Sequence, residues 1–164
     1  MVPNRYQPPR SPVDPRSREP GSIPKAVAVG AVIDIGGTML GSFVVGMCYA
    51  VLLGMQGLSS DAITKALTEA DRWSTPGLIA MVIGLVMSVL GGLQCAVIAN
   101  RPTYLAPGLL SLVSVTIGAM LNDGQTALPE LLSFSALTVA AILGGASLQI
   151  RKLVEPPSRP AAKD

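Results

Sequence analysis

Residues 26–54 read AVAVGAVIDIGGTMLGSFVVGMCYAVLLG and form a long apolar stretch of the 164-residue chain, broken only by Asp34. A helix needs about 20 such residues to cross ~30 Å of hydrocarbon at 1.5 Å per residue. Lipid offers no hydrogen-bond partners to the backbone, so a single span of this length has to be helical. The stretch therefore predicts a transmembrane helix.

Three more apolar stretches follow, at about 76–100, 103–121 and 131–150. Only 13% of the residues are charged, against about 25% in an ordinary soluble domain. The chain shows no ten-residue alternating pattern of the kind that membrane β-barrels carry. The sequence predicts an all-α membrane protein, with four transmembrane helices (about 26–54, 76–100, 103–121 and 131–150) packed as a compact bundle in a domain at 25–151.

The two ends of the chain have a different composition. Residues 1–24 hold seven prolines and four arginines, and residues 152–164 are similarly rich in proline and charge. Segments with so few large apolar side chains cannot bury enough surface to offset the entropy of ordering. Both are expected to be disordered tails.

The basic residues predict the orientation in the membrane. With four crossings, ten of the twelve Lys and Arg residues fall on one side, and only Lys65 and Arg72 fall on the other. Cytoplasmic segments carry the excess of Lys and Arg. We therefore expect both termini in the cytoplasm, and a bacterial inner membrane as the location.

The loop at 55–75, on the opposite side, contains a short amphipathic segment. Ile63, Leu67 and Ala70 fall on one helical face, and Ser60 is a plausible N-cap. The segment predicts a short helix on the outer face of the membrane, and a structural connector is favoured over a gating lid.

Small residues recur at four-residue steps within the spans and predict where the helices approach closely, because helix association in lipid depends on such contacts. On the first two spans the stripes of small residues are wide enough for a second contact, which suggests a homodimer, although glycine is common in membrane helices generally. The expected packing residues are Gly37, Gly41, Gly84, Ser88, Gly92, Gly118 and Gly144.

Asp34 is the only charge-capable residue within any of the four stretches. Such residues are costly in the membrane and usually face the interior of a bundle. Asp34 shares a helix face with Gly37, Thr38 and Gly41, which directs it toward neighbouring helices. Counting inward from Lys25 and Arg101 puts Gln94 at a similar depth and makes it the expected partner, and the predicted polar site comprises Asp34, Thr38, Gln94, Ser111 and Ser114.

The absence of histidine removes His-based nucleophile activation and His-ligated metals from consideration. No catalytic set, metal site, cofactor motif or nucleic-acid-binding pattern is recognisable, so an enzyme is not expected. The favoured function is a non-enzymatic accessory or assembly subunit in the lipid bilayer, bound to its own copies or to another membrane protein. The alternative is a small proton- or cation-coupled transporter, acting as a dimer, with Asp34 as the coupling carboxylate.

Overall fold

The computed structural model describes residues 20–70, 73–121 and 127–154, and 86% of these are helical with no strand among them. This confirms the predicted all-α class. Most of each predicted tail, residues 1–19 and 155–164, lies outside the described residues. The helices are α1 (Ile23–Met55), α2 (Ser60–Thr68), α3 (Thr75–Ala99), α4 (Leu105–Met120) and α5 (Leu128–Val154).

Three of these helices, α1, α3 and α5, are long and apolar enough to cross a membrane. The predicted third span is shorter than expected, since α4 has 16 residues and a length of about 24 Å. The turn before α4 shortens it. Helix α3 ends at Ala99, and its C-cap Asn100 has a left-handed φ of 44°, a conformation that Asn tolerates at helix ends. Three spans are supported, and a fourth crossing by α4 stays a prediction.

Side-chain contacts give the relative directions of the helices. On α1, Gly30 lies against Leu110 of α4, and one turn later Asp34 contacts Ser114, so α1 and α4 run in the same direction. On α3 the order is reversed, because Gly30 faces Cys95 while Asp34 contacts Ser88. Helix α3 is therefore antiparallel to α1.

The backbones of helices α3 and α5 approach each other closely at two glycines. A Cβ atom added at Gly92 would lie 2.1 Å from the Ile142 carbonyl oxygen, and one added at Gly145 would lie 2.1 Å from that of Val89. Only glycine permits this contact, because any Cβ would clash with a carbonyl oxygen of the facing helix. Helices α3 and α5 therefore pack backbone to backbone at this point.

Among the predicted packing glycines, those on the first two spans lie at contacts between helices, and those on the other two spans do not. Gly37 faces Met87, Gly41 faces Ile83 and Gly84 faces Thr38. By contrast, a Cβ at Gly118 or at Gly144 would meet nothing within 4 Å. The α5 contact is made by Gly145, one residue later, because each residue turns a helix by 100° and a small-residue pattern alone does not fix which face is used.

The packed core lies at one end of the helices. Its buried members are Ala26, Cys95, Ala99, Ala106, Leu110 and Ile142. The same end carries Lys25, Arg101, Arg151 and Lys152 and is called the basic end below. Toward the opposite end packing is sparse, since Leu53 is the single buried residue of α1 between Gly37 and Met55.

The short helix α2 forms at the opposite end, where the sequence predicts it. Its N-cap is Ser59 and not Ser60: the Ser59 hydroxyl accepts a 3.4 Å hydrogen bond from the Ala62 N–H. An exposed ion pair, Lys65–Glu69 at 3.9 Å, adds little stability. Helix α2 thus connects α1 to α3.

Substituting Gly145 by Ala will force α3 and α5 apart, because the new Cβ meets a carbonyl of the facing backbone. We expect the free energy of unfolding in detergent to fall by about 1–3 kcal/mol, the usual cost of overpacking. Gly144→Ala is the matched control, since its Cβ enters open space. Equal thermal stability of the two variants would contradict the packing described.

Candidate functional site

The Asp34 carboxylate lies between three helices and is 3% exposed. Its Oδ1 accepts a hydrogen bond of 2.6 Å from the Ser88 hydroxyl of α3. Its Oδ2 accepts one of 2.5 Å from the Ser114 hydroxyl of α4. Buried polar groups need such partners, so this carboxylate cross-links α1, α3 and α4 through one side chain.

Asp34 is at the centre of a π-helical turn, Val32–Gly36, within α1. Such turns are rare and often occur at functional sites because they break the regular hydrogen-bond ladder. The Thr38 hydroxyl donates a 2.6 Å bond to the Asp34 backbone carbonyl. Thr38 therefore belongs to the site as predicted by position, but it supports the backbone and makes no contact with the carboxylate among the bonds described.

The expected pairing of Asp34 with Gln94 is wrong. Gln94 is exposed, because six residues beyond Ser88 correspond to a rotation of about 240° away from the face of Ser88. The depth estimate also counted from Lys25 and Arg101 as if these two residues lay at the same depth. The Gly21 N–H donates to the Ala99 carbonyl, so it is Gly21 that lies level with the end of α3. In that register Ser88, 11 residues before Ala99, is closer to the level of Asp34, 13 residues after Gly21, than Gln94 is at five residues before Ala99.

Ser111 is buried, as the predicted polar site required, but it is not brought to the carboxylate. Its hydroxyl donates a 3.0 Å bond to the Pro107 carbonyl of its own helix. Ser88 was expected only as a packing residue, and it is instead a direct partner of Asp34. The site assembled by the structure is thus Asp34, Ser88 and Ser114, with Thr38 supporting it.

A cavity of about 240 Å³ extends from this site between α1, α3, α4 and α5. A second cavity, of about 270 Å³, shares Ser114, Gly118 and Phe134 with it and reaches Leu131. Both are lined by Leu121, so they lead away from the basic end. We call this passage the Asp34 crevice, and its principal lining residues are Asp34, Thr38, Ser88, Ser114, Gly118 and Phe134.

Two hydroxyl donors surround the Asp34 carboxylate, and both can rotate. A carboxylate that accepts two hydroxyls can bind a proton or a monovalent cation if the hydroxyls turn elsewhere. Helical serines can donate to the carbonyl four residues earlier, as Ser111 does here. No cluster of three or more His, Cys, Asp or Glu side chains suited to a metal occurs among the described residues.

Comparison with known proteins gives no match to any family model, curated protein or solved structure.

A double-mutant cycle tests the contacts of Asp34. Combining Asp34→Asn with Ser114→Ala should reveal a coupling of about 0.6–1.7 kcal/mol, the range for hydrogen bonds between membrane helices. The control cycle combines Asp34→Asn with Gln94→Ala and should give no coupling, since Gln94 is exposed. Thermal unfolding in detergent provides the measurement, and a larger coupling to Gln94 would reverse the assignment.

Proposed function

We propose that α1, α3, α4 and α5 each cross the membrane once, with both termini on the cytoplasmic side of a bacterial inner membrane. The length of α4, 16 residues, is close to the lower limit of about 17 for a spanning helix, and apolar Leu121 extends it. The alternating directions of α1, α3 and α4 support this arrangement. So does the uneven distribution of basic residues.

A reporter that is active only in the cytoplasm, fused after Asp164, should be active, because an even number of crossings returns the chain to its starting side. The same reporter inserted after Leu58, between α1 and α2, should be inactive. Activity of the second fusion alone would contradict the proposed topology.

Within this frame, we infer that the protein is a small transporter that couples movement of its substrate to a proton or monovalent cation bound at Asp34. The observation that carries this proposal is the Asp34 crevice, whose lining runs from the buried carboxylate to Leu121 and Leu131, on the side away from the basic end. An aspartate serving only to clamp helices needs no such passage. Intramembrane carboxylates in proton relays and pumps have this kind of access.

The side chains around Asp34 supply a mechanism for exchange. In the structure, Ser88 and Ser114 donate to the two carboxylate oxygens. When a proton or cation arrives through the crevice, one serine hydroxyl rotates to a carbonyl of its own helix and leaves an oxygen available. This loosens the link between α1 and its neighbour, while the glycine contacts of α3 with α5 hold the rest in place.

The second half of α1, Gly37–Met55, is the segment expected to move when a hydrogen bond at Asp34 is broken, because it follows the π-helical turn and is sparsely packed. Gly37–Met55 buries only Leu53, so this half of α1 has few contacts to lose when a hydrogen bond at Asp34 is broken. Movement of this segment would widen or narrow the crevice, because Thr38 and Met39 form part of its wall.

An accessory or assembly role, favoured by the sequence, is the second candidate. The same half of α1 exposes large apolar side chains, among them Phe43 at 64% and Met55 at 81%. A homo-oligomer or another membrane protein would cover this face in place of lipid. In that role Asp34 only holds helices together, and access to it has no consequence.

Labelling with dicyclohexylcarbodiimide, an apolar reagent for protonated carboxyl groups, distinguishes the two candidates. Asp34 of the native protein in lipid nanodiscs should be labelled, as detected by mass spectrometry. Gly118→Leu should slow labelling at least about tenfold, equivalent to ~1.4 kcal/mol of hindrance, because its side chain fills the crevice from a position with open space.

Gly144→Leu is the matched control, since Gly144 also faces open space but is not a lining residue of the crevice; labelling should match the native protein. Asp34→Asn should remove the label while the protein still folds. Protection by Na⁺ at constant pH would identify a cation, and no protection would identify a proton. Failure to label native Asp34, or equal labelling of Gly118→Leu, would favour the accessory role.

A further inference from the structure

The basic end of the helices carries four positive charges. Helices α3 and α5 run in the same direction, because Met81 lines one cavity with Phe134 while Ala96, further along α3, packs with Ala146 and Ile150. Arg101, just after α3, and Arg151, near the end of α5, therefore lie at the same end of the helices. The Gly21–Ala99 hydrogen bond places the start of α1, and with it Lys25, at this end as well. Lys152 follows Arg151 directly and completes the group.

No negative charge offsets this group within the described residues. The acidic residues described are Asp34, Asp61, Glu69 and Glu130. The first is inside the helices and paired with serines, and the other three belong to the segments at the opposite end. A group of like positive charges attracts an anion.

Arg101 has a donor that the described residues do not satisfy. Its Nε is buried and makes no hydrogen bond, although the side chain as a whole is partly exposed. Leaving a buried N–H unpaired is unfavourable. A guanidinium offers its donors as a planar fork, and two oxygens of one phosphate group match that geometry.

We propose that the basic end is a binding site for the phosphate headgroup of an anionic phospholipid, with Arg101 as its main ligand and Lys25, Arg151 and Lys152 contributing charge. The loop between α3 and α4 is short, which keeps Arg101 close to the ends of the apolar helices, where headgroups lie. Basic pockets between membrane helices recognise anionic headgroups in this way. The inference rests on the proposed membrane placement and is independent of Asp34.

Native mass spectrometry of the full chain tests this site, with phosphatidylglycerol as the anionic probe, phosphatidylcholine as the zwitterionic probe and inorganic phosphate as the free anion. We expect bound phosphatidylglycerol to persist after detergent removal, and phosphatidylcholine and phosphate to be lost. Arg101→Gln should weaken phosphatidylglycerol binding at least about tenfold. The affinity of Arg101→Lys should lie between those of the native protein and Arg101→Gln, because lysine keeps the charge but not the planar arrangement of donors.

Lys65→Gln is the matched control, since Lys65 lies at the opposite end in an exposed pair with Glu69, and its binding should equal that of the native protein. Asp34→Asn should also bind the lipid normally, which separates this site from the proposed transport function. Circular dichroism establishes that each variant is folded. The proposal would be overturned if phosphatidylcholine or free phosphate were retained as well as phosphatidylglycerol, or if Arg101→Gln bound phosphatidylglycerol as well as the native protein does.

Discussion

The burial of the Asp34 carboxylate is the constraint on which the arrangement of α1, α3 and α4 depends. A carboxylate surrounded by hydrocarbon must find hydrogen-bond donors, and here Ser88 and Ser114 provide one to each oxygen. Because these serines come from two different helices, only one register of α1 satisfies both. Together with the contacts of Gly30 to Leu110 and Cys95, these contacts show α1 parallel to α4 and antiparallel to α3.

Glycine determines how the rest of the molecule is packed around that point. At Gly92 and Gly145 the backbones of α3 and α5 approach too closely for any side chain, which gives a rigid region on the side of the basic end. Beyond Asp34, Gly118 of α4 faces open space instead. Because packing is tight at Gly92 and Gly145 but open at Gly118, the Asp34 crevice remains beside the carboxylate.

Much of this could be predicted from the sequence, and the rest shows where sequence patterns lose information. Hydropathy locates all the long helices and Asp34 stands out among them, because both signals are local. Helix rotation and register depend on distant contacts. For this reason the partner of Asp34 is Ser88 and not Gln94, and the glycine of α5 that contacts α3 is Gly145 and not Gly144. The π-helical turn at Asp34 has no sequence signal of its own and follows from packing.

Infrared difference spectroscopy of the protein in lipid, recorded as the pH is changed, tests most directly whether Asp34 exchanges its proton. Exchange predicts a protonated-carboxyl C=O band that appears on acidification, shifts in D₂O, is absent from Asp34→Asn and forms more slowly in Gly118→Leu than in Gly144→Leu. A spectrum with no Asp34-dependent band at any pH at which the protein stays folded would contradict a proton site. It would do so whether or not Na⁺ is present.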